Sequence, residues 1–209
     1  MSTTSIRPEL VALELADPPE PWEALGFSVS PDRAIELGGV QLKLGADGDG
    51  IVAWTLRGID QTSSIDGLPT RVIDPSVGGE GAGEQGVAAT HPNGAIAVDH
   101  VVVLTSDFDR TADAVAAAGM PLRRLAERNG ARQGFRRLGP AIMEIVQAPE
   151  VGGTRFWGLV VIVSDLDALA ERLGDLLREI RPAVQPGRRI APLRSKAGLG
   201  PAVAFMDPS

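Results

Sequence analysis

One stretch of the chain is written twice. Residues 97–109 read Ala-Val-Asp-His-Val-Val-Val-Leu-Thr-Ser-Asp-Phe-Asp, and residues 155–167 read Arg-Phe-Trp-Gly-Leu-Val-Val-Ile-Val-Ser-Asp-Leu-Asp. Each copy is a β-branched run, which suits a strand, closed by Ser-Asp-apolar-Asp and an alanine- or leucine-rich segment. Serine and aspartate at that point are helix N-caps. The spacing predicts helices over 108–118 and 166–177, the first stopped by Gly119. A second echo joins Gly139-Pro140-Ala141-Ile142-Met143-Glu144-Ile145 to Gly200-Pro201-Ala202-Val203-Ala204-Phe205-Met206. It reads as the closing strand of each unit.

Two shorter strands fit between each helix and its closing strand. In the first unit they fall at 122–127 and 132–138, around Asn129-Gly130, a strong hairpin signal. In the second they fall near 180–184 and 189–193, where Pro182, Pro186 and Pro192 make them edge-like. A weaker third copy is read at the N-terminus: a strand at 10–15, a short helix from Asp17-Pro18-Pro19 through Leu25, then strands at 33–37, 40–44 and 51–56. Strand, helix and three strands thus recur three times. The expected fold is α+β, with repeated βαβββ modules forming curved mixed sheets. The expected division is an N-terminal module over 1–60, a Gly/Pro-rich linker over 61–96 that includes the glycines at 78–83, and a paired domain over 97–209.

Composition narrows the function classes. The 209 residues carry a net charge of −7, and an acidic surface repels phosphate backbones, so no nucleic-acid partner is expected. There is no cysteine, which removes disulfides, thiolate metal sites and cysteine nucleophiles. No apolar run is long enough for a bilayer, so no membrane partner is expected. Residues 1–10 show no apolar signal-peptide core, and the expected location is cytoplasmic. The glycines at 78–83 are followed by no Gly-Lys-Ser/Thr, so they are not a phosphate loop. Histidine occurs only twice, as His91 and His100.

The Asp99-His100-Val101 strand start, the Ser106-Asp107-Phe108-Asp109 cap, the Gly134-Phe135-Arg136-Arg137-Leu138-Gly139 hairpin and the Met143-Glu144-Ile145-Val146 strand resemble the vicinal oxygen chelate superfamily (the glyoxalase/bleomycin-resistance/dioxygenase group). Phe156-Trp157-Gly158-Leu159 and Gln185-Pro186-Gly187-Arg188-Arg189-Ile190 look like glyoxalase-like proteins of high-GC Gram-positive bacteria. The resemblance implies paired βαβββ modules around a small-molecule cavity. In metal-dependent members it implies four ligands, one from the first and one from the last strand of each module, around Fe, Mn, Ni or Zn.

Carried over by position, His100 is the first-strand ligand and Glu144 the last-strand ligand of one module. Aligning Ser106 with Ser164 sets Gly158 opposite His100. Aligning Gly139 with Gly200 sets Phe205 opposite Glu144. In the N-terminal copy the matches are Leu10 and Trp54. None of these four can bind a metal through its side chain, so the set is half present. His91, in His91-Pro92-Asn93-Gly94, would supply a third donor if that turn folds over the cavity; the plain alternative is a turn.

His100 and Glu144 are thus the leading ligand-binding pair, expected to project into one cavity; the plain alternatives are a His–Glu hydrogen bond or a solvated Glu144. Phe135, Trp157 and Phe205 are candidate apolar walls, or ordinary core. Gln185 and Arg188 are candidate polar contacts at the cavity mouth, the arginine able to fork onto an anion. Arg132, Arg136, Arg137 and Arg189 could likewise fork onto a ligand carboxylate or phosphate at the cavity mouth, the default being a solvated strand face. The favoured function is a small-molecule binding protein of glyoxalase-like fold with a degenerate metal site. The alternatives are a divalent-metal lyase or dioxygenase and an assembly module. A homodimer is expected because three copies leave one without an in-chain partner.

Overall fold

The computed structural model describes residues 7–73 and 90–208; the glycines at 78–83 lie outside them. The N-terminal part contains β1 (Glu9–Leu15), α1 (Pro19–Ala24), β2 (Ala34–Leu37), β3 (Val40–Leu44), β4 (Ile51–Arg57), β5 (Ser64–Ile65) and β6 (Leu68–Ile73). After them come β7 (Ala95–Thr105), α2 (Phe108–Ala117), β8 (Arg124–Arg128), β9 (Ala131–Leu138), β10 (Ala141–Gln147), β11 (Thr154–Val163), α3 (Leu166–Leu173), β12 (Arg181–Pro182), β13 (Arg189–Pro192) and β14 (Ala202–Met206). The two long helices start as the sequence indicates. Asp107 accepts from the Arg110 backbone N–H at 3.1 Å, and Asp165 accepts from that of Ala168 at 2.9 Å. Asn129 and Gly130 both take positive φ, as a tight β8–β9 hairpin requires.

The strands form a six-stranded sheet, β2-β3-β1-β4-β6-β5, and an eight-stranded sheet, β12-β13-β14-β11-β7-β10-β9-β8. Both follow one plan. A central antiparallel pair (β1–β4, β7–β11) is flanked by strands parallel to each member (β3 and β6, β10 and β14). Antiparallel strands then continue outward.

This plan corrects the reading of the third copy. The strand expected to close it, β4, instead opens a second half-unit that lacks a helix. Residues 61–73, expected as linker, supply that half-unit's β5 and β6. The N-terminal copy therefore has its partner within the chain, and the unpaired-copy argument for a homodimer falls away. Periodicity marked β4 as a strand, but alternation carries no information about which strand lies beside it.

Alternate residues of the eight-stranded sheet face a core shared with the six-stranded one. Val101, Val103, Met143, Ile145, Val161 and Phe205 are fully buried there. Phe27 stacks on Phe205 with centroids 6.2 Å apart, and Trp54 meets Phe156 edge-on at 5.3 Å. Asp66, in the β5–β6 turn, accepts from Arg110 Nε at 2.7 Å and from the hydroxyls of Thr111 and Thr154 at 2.5 Å, tying that turn to the eight-stranded sheet. The opposite face of the eight-stranded sheet is only half-buried at Ile142, Glu144, Val160 and Ala204. That open face carries the candidate site.

Candidate functional site

The β7–β11 pair has an internal two-fold. His100 pairs with Val160 and Val102 with Gly158; Val98 pairs with Val161 and Val103 with Phe156. Each pairing becomes its mate when the strands are exchanged, with Val101–Leu159 on the axis. Asp99 and Trp157 are the unpaired residues of the two matching bulges. Position for position, Gly158 is therefore the counterpart of His100, and Trp157 that of Asp99.

Paired residues on neighbouring strands share a face. His100 pairs with Ile142 on β10, so Glu144, two residues on, lies on the His100 face. Gly158 pairs with Ala202 on β14, and the same step leads to Ala204. Ala204 is thus the counterpart of Glu144. Phe205 pairs with Val161, on the core side. The Gly-Pro alignment that set Phe205 opposite Glu144 is one residue out of register, and a one-residue slip turns a strand residue to the other face. Phe205 is a core residue, and the positions opposite His100 and Glu144 are Gly158 and Ala204.

The bulge at Asp99 brings two consecutive residues together. Asp99 Oδ2 contacts His100 Nδ1, and Asp99 Oδ1 accepts from Arg188 Nη1 at 2.8 Å. Arg188 also donates from Nη1 to Gln185 Oε1 at 2.6 Å and from Nε to the Asp207 carbonyl at 2.8 Å. Asp99, His100 and Arg188 are all buried. Burial alone would raise the Asp99 carboxyl, but His100 and Arg188 outweigh it and hold the group at about 2. Burial pushes the Glu144 carboxyl above its ordinary range, and His100 and Arg128 pull it only part of the way back. The ring of Phe135 lies 6.5 Å from that of His100, and its residue pairs with Glu144 across β9–β10. A cleft of about 580 Å³ opens beside this group, lined by Asp99, Arg137, Ile142, Gln185 and Arg188 among others.

The structure therefore brings together His100, Glu144 and Phe135 on one face, with Arg188 and Gln185 at its margin. Trp157 sits in the β11 bulge, 48% exposed. His91 is elsewhere. Its Nδ1 accepts from the Ser28 backbone N–H at 3.0 Å, its Nε2 lies 2.9 Å from the Glu36 carbonyl oxygen, and its ring packs edge-on against Phe27. Both ring nitrogens are committed to backbone, so His91 is a latch on the six-stranded half and corrects the expectation of a third donor. Arg132 pairs with Asp109 and Arg189 with Asp167 and Asp207, as a solvated face would. Asp99 and Ala204 were missed, and Arg137, read by default as solvated, lines the cleft. Strict alternation forbids Asp99 and His100 from sharing a face, and only the matching bulge at Trp157 could have revealed the exception.

The four-ligand metal set implied by the resemblance does not fit. No cluster of three or more His, Asp or Glu side chains suited to a metal occurs among the described residues. A Cβ at Gly158 would lie 2.0 Å from the Ala202 carbonyl oxygen, so no side-chain donor can stand there without moving β14. No helix among the described residues is long and apolar enough to cross a membrane.

No family model matches the sequence, and no curated protein matches it. Solved structures do. A triple mutant of 4-hydroxymandelate synthase from Streptomyces coelicolor matches over 95% of this chain and 92% of its own, at 14% identity and TM-score 0.64. Methylmalonyl-CoA epimerase from Mycobacterium tuberculosis matches over 58% of this chain and 93% of its own, at 20% identity and TM-score 0.49. The chain has the α+β fold of that synthase, two curled mixed sheets, which is the fold that the resemblance to the vicinal oxygen chelate superfamily implies.

Proposed function

We propose that the open face of the eight-stranded sheet binds a small organic molecule, using half of an ancestral ligand set without assembling a metal centre. One observation carries this reading. Register puts His100 and Glu144 on the same face, while their symmetry mates are Gly158 and Ala204. At those mates the face offers no further donor, since the Ala202 backbone fills the space beside Gly158, and the room for a guest is the cleft along Ile142. Ile142, Val160 and Phe135 supply apolar contact, and the Glu144 carboxyl, raised by burial, supplies a hydrogen-bond donor when protonated. Fe, Mn, Ni or Zn would find two side-chain donors here, short of the three that open catalytic sites use. The proposed partner is a small molecule. We further propose a cytoplasmic location; ligand binding at this face needs no second copy of the chain.

The test is a titration with benzamide, a neutral planar probe, followed by backbone amide NMR. Shifts centred on Val102, Ile142, Glu144, Val160 and Ala204 are expected. No shift at millimolar probe, or shifts confined to the six-stranded sheet, would overturn the reading.

A further inference from the structure

We infer that the cleft beside Arg188 is an anion subsite, taking the carboxylate of a small organic acid whose apolar body lies on the open face. This rests on the open-face reading and names the class of molecule that face receives. Arg188 is 8% exposed, and its Nη2 is buried with no hydrogen-bond partner among the described residues. Its other donors are already used: Nη1 by Asp99 and Gln185, Nε by the Asp207 carbonyl. A buried guanidinium with one edge unspent is costly unless something accepts from it.

The cleft it lines also holds the exposed Arg137, which makes no ion pair among the described residues. Among the described residues that line the cleft, Asp99 is the one carboxylate, and it is already pinned by His100 and Arg188. The cleft is therefore electropositive in a chain whose net charge is −7. An anion arriving there would accept from Arg137 and, once the Arg188 side chain turns its buried Nη2 toward the cleft, from Arg188 as well, a pairing suited to a planar carboxylate.

The same cleft connects to the open face. Ile142 lines it and pairs with both His100 and Arg137. An acid with its carboxylate at Arg188 would thus lay its remaining atoms along Ile142 toward Glu144. Glu144 lies beyond the two arginines, where a second anionic group would be repelled once it ionises. One carboxylate with an apolar remainder is the chemistry the arrangement favours, over a dianion or a neutral amide.

Benzoate against benzamide, at constant ionic strength and neutral pH, reads this directly by NMR titration. Benzoate is expected to bind at least tenfold more tightly and to shift the Arg188 Nε–H resonance. Arg137→Gln, a surface change, is expected to weaken benzoate about fivefold and leave benzamide unchanged. Arg188→Lys should abolish the preference, and where that buried change impairs folding the Arg137→Gln result stands in for it. Inorganic phosphate should displace benzoate and not benzamide. Equal binding of the two probes, or an equal effect of Arg137→Gln on both, would overturn the anion subsite while leaving the open-face reading intact. Phosphate moving Arg188 while benzoate does not would overturn the carboxylate assignment. Failure of benzamide to shift the open face at millimolar concentration would overturn the open-face reading itself, whatever benzoate does.

Discussion

His100 and Gly158 occupy the same place in two halves of one sheet, each a single step from the Val101–Leu159 axis of the β7–β11 pair. One half carries an imidazole there; the other has no side chain at all. Gly158 is fixed by backbone, because an added Cβ would meet the carbonyl oxygen of Ala202 at 2.0 Å and its carbon at 2.8 Å. Gly158→Ala is expected to destabilise the fold by about 2–4 kcal/mol, since β14 must move. Urea unfolding checks it, and a midpoint equal to the parent's would contradict the close approach.

The Glu144 carboxyl makes folding pH-dependent in a defined direction. Its folded pKa lies above the ordinary 4.5 because burial disfavours the charge. The folded state therefore holds its proton where the unfolded state has lost it, and stability falls as pH rises from about 4.5 through the raised folded value. Glu144→Gln removes this contribution. The difference in unfolding free energy between parent and variant should shift in the variant's favour from pH 4 to pH 8. A pH-independent difference would show that the carboxyl is solvated.

Asp99 and Arg188 should behave as a coupled pair. Both side chains are about nine-tenths buried, and removing either leaves a buried charge without its partner. Asp99→Ala or Arg188→Ala alone is expected to cost about 3–5 kcal/mol. Asp99→Ala combined with Arg188→Ala should cost clearly less than the sum of the two. A double-mutant cycle measures this, and strict additivity would mean that the two do not interact.

His91 is expected to matter for folding and not for metal. His91→Ala severs contacts to the Ser28 N–H and the Glu36 carbonyl and removes the ring packed on Phe27. A loss of about 2–4 kcal/mol follows from two part-buried hydrogen bonds and the packing. Unfolding curves check the loss, and zinc titration of the same variant should match the parent's.

Much of the fold was legible from repetition. The two capped helices, the Asn129-Gly130 hairpin and the closing strands are local features, and each was readable where it stands. What escaped depends on partners distant in sequence. That β4 begins a half-unit is decided by its pairing with β1 and β6, which no strand pattern encodes. The placement of Phe205 turned on a single residue of register, which the Gly-Pro match set wrongly and the β11–β14 ladder sets at Ala204. His91 is held by residues 63 and 55 positions away. The face shared by His100 and Glu144 was legible because β7 and β10 each alternate regularly between those positions and the core.

Metal content of the purified protein, before and after His100→Ala, bears most directly on whether the open face works with half a ligand set. Dialysed parent and variant should both carry far less than one Fe, Mn, Ni or Zn per chain. The parent should bind added zinc no more tightly than about 0.1 mM, as two unreinforced donors would. One tightly held metal per parent chain, lost in His100→Ala, would contradict the account.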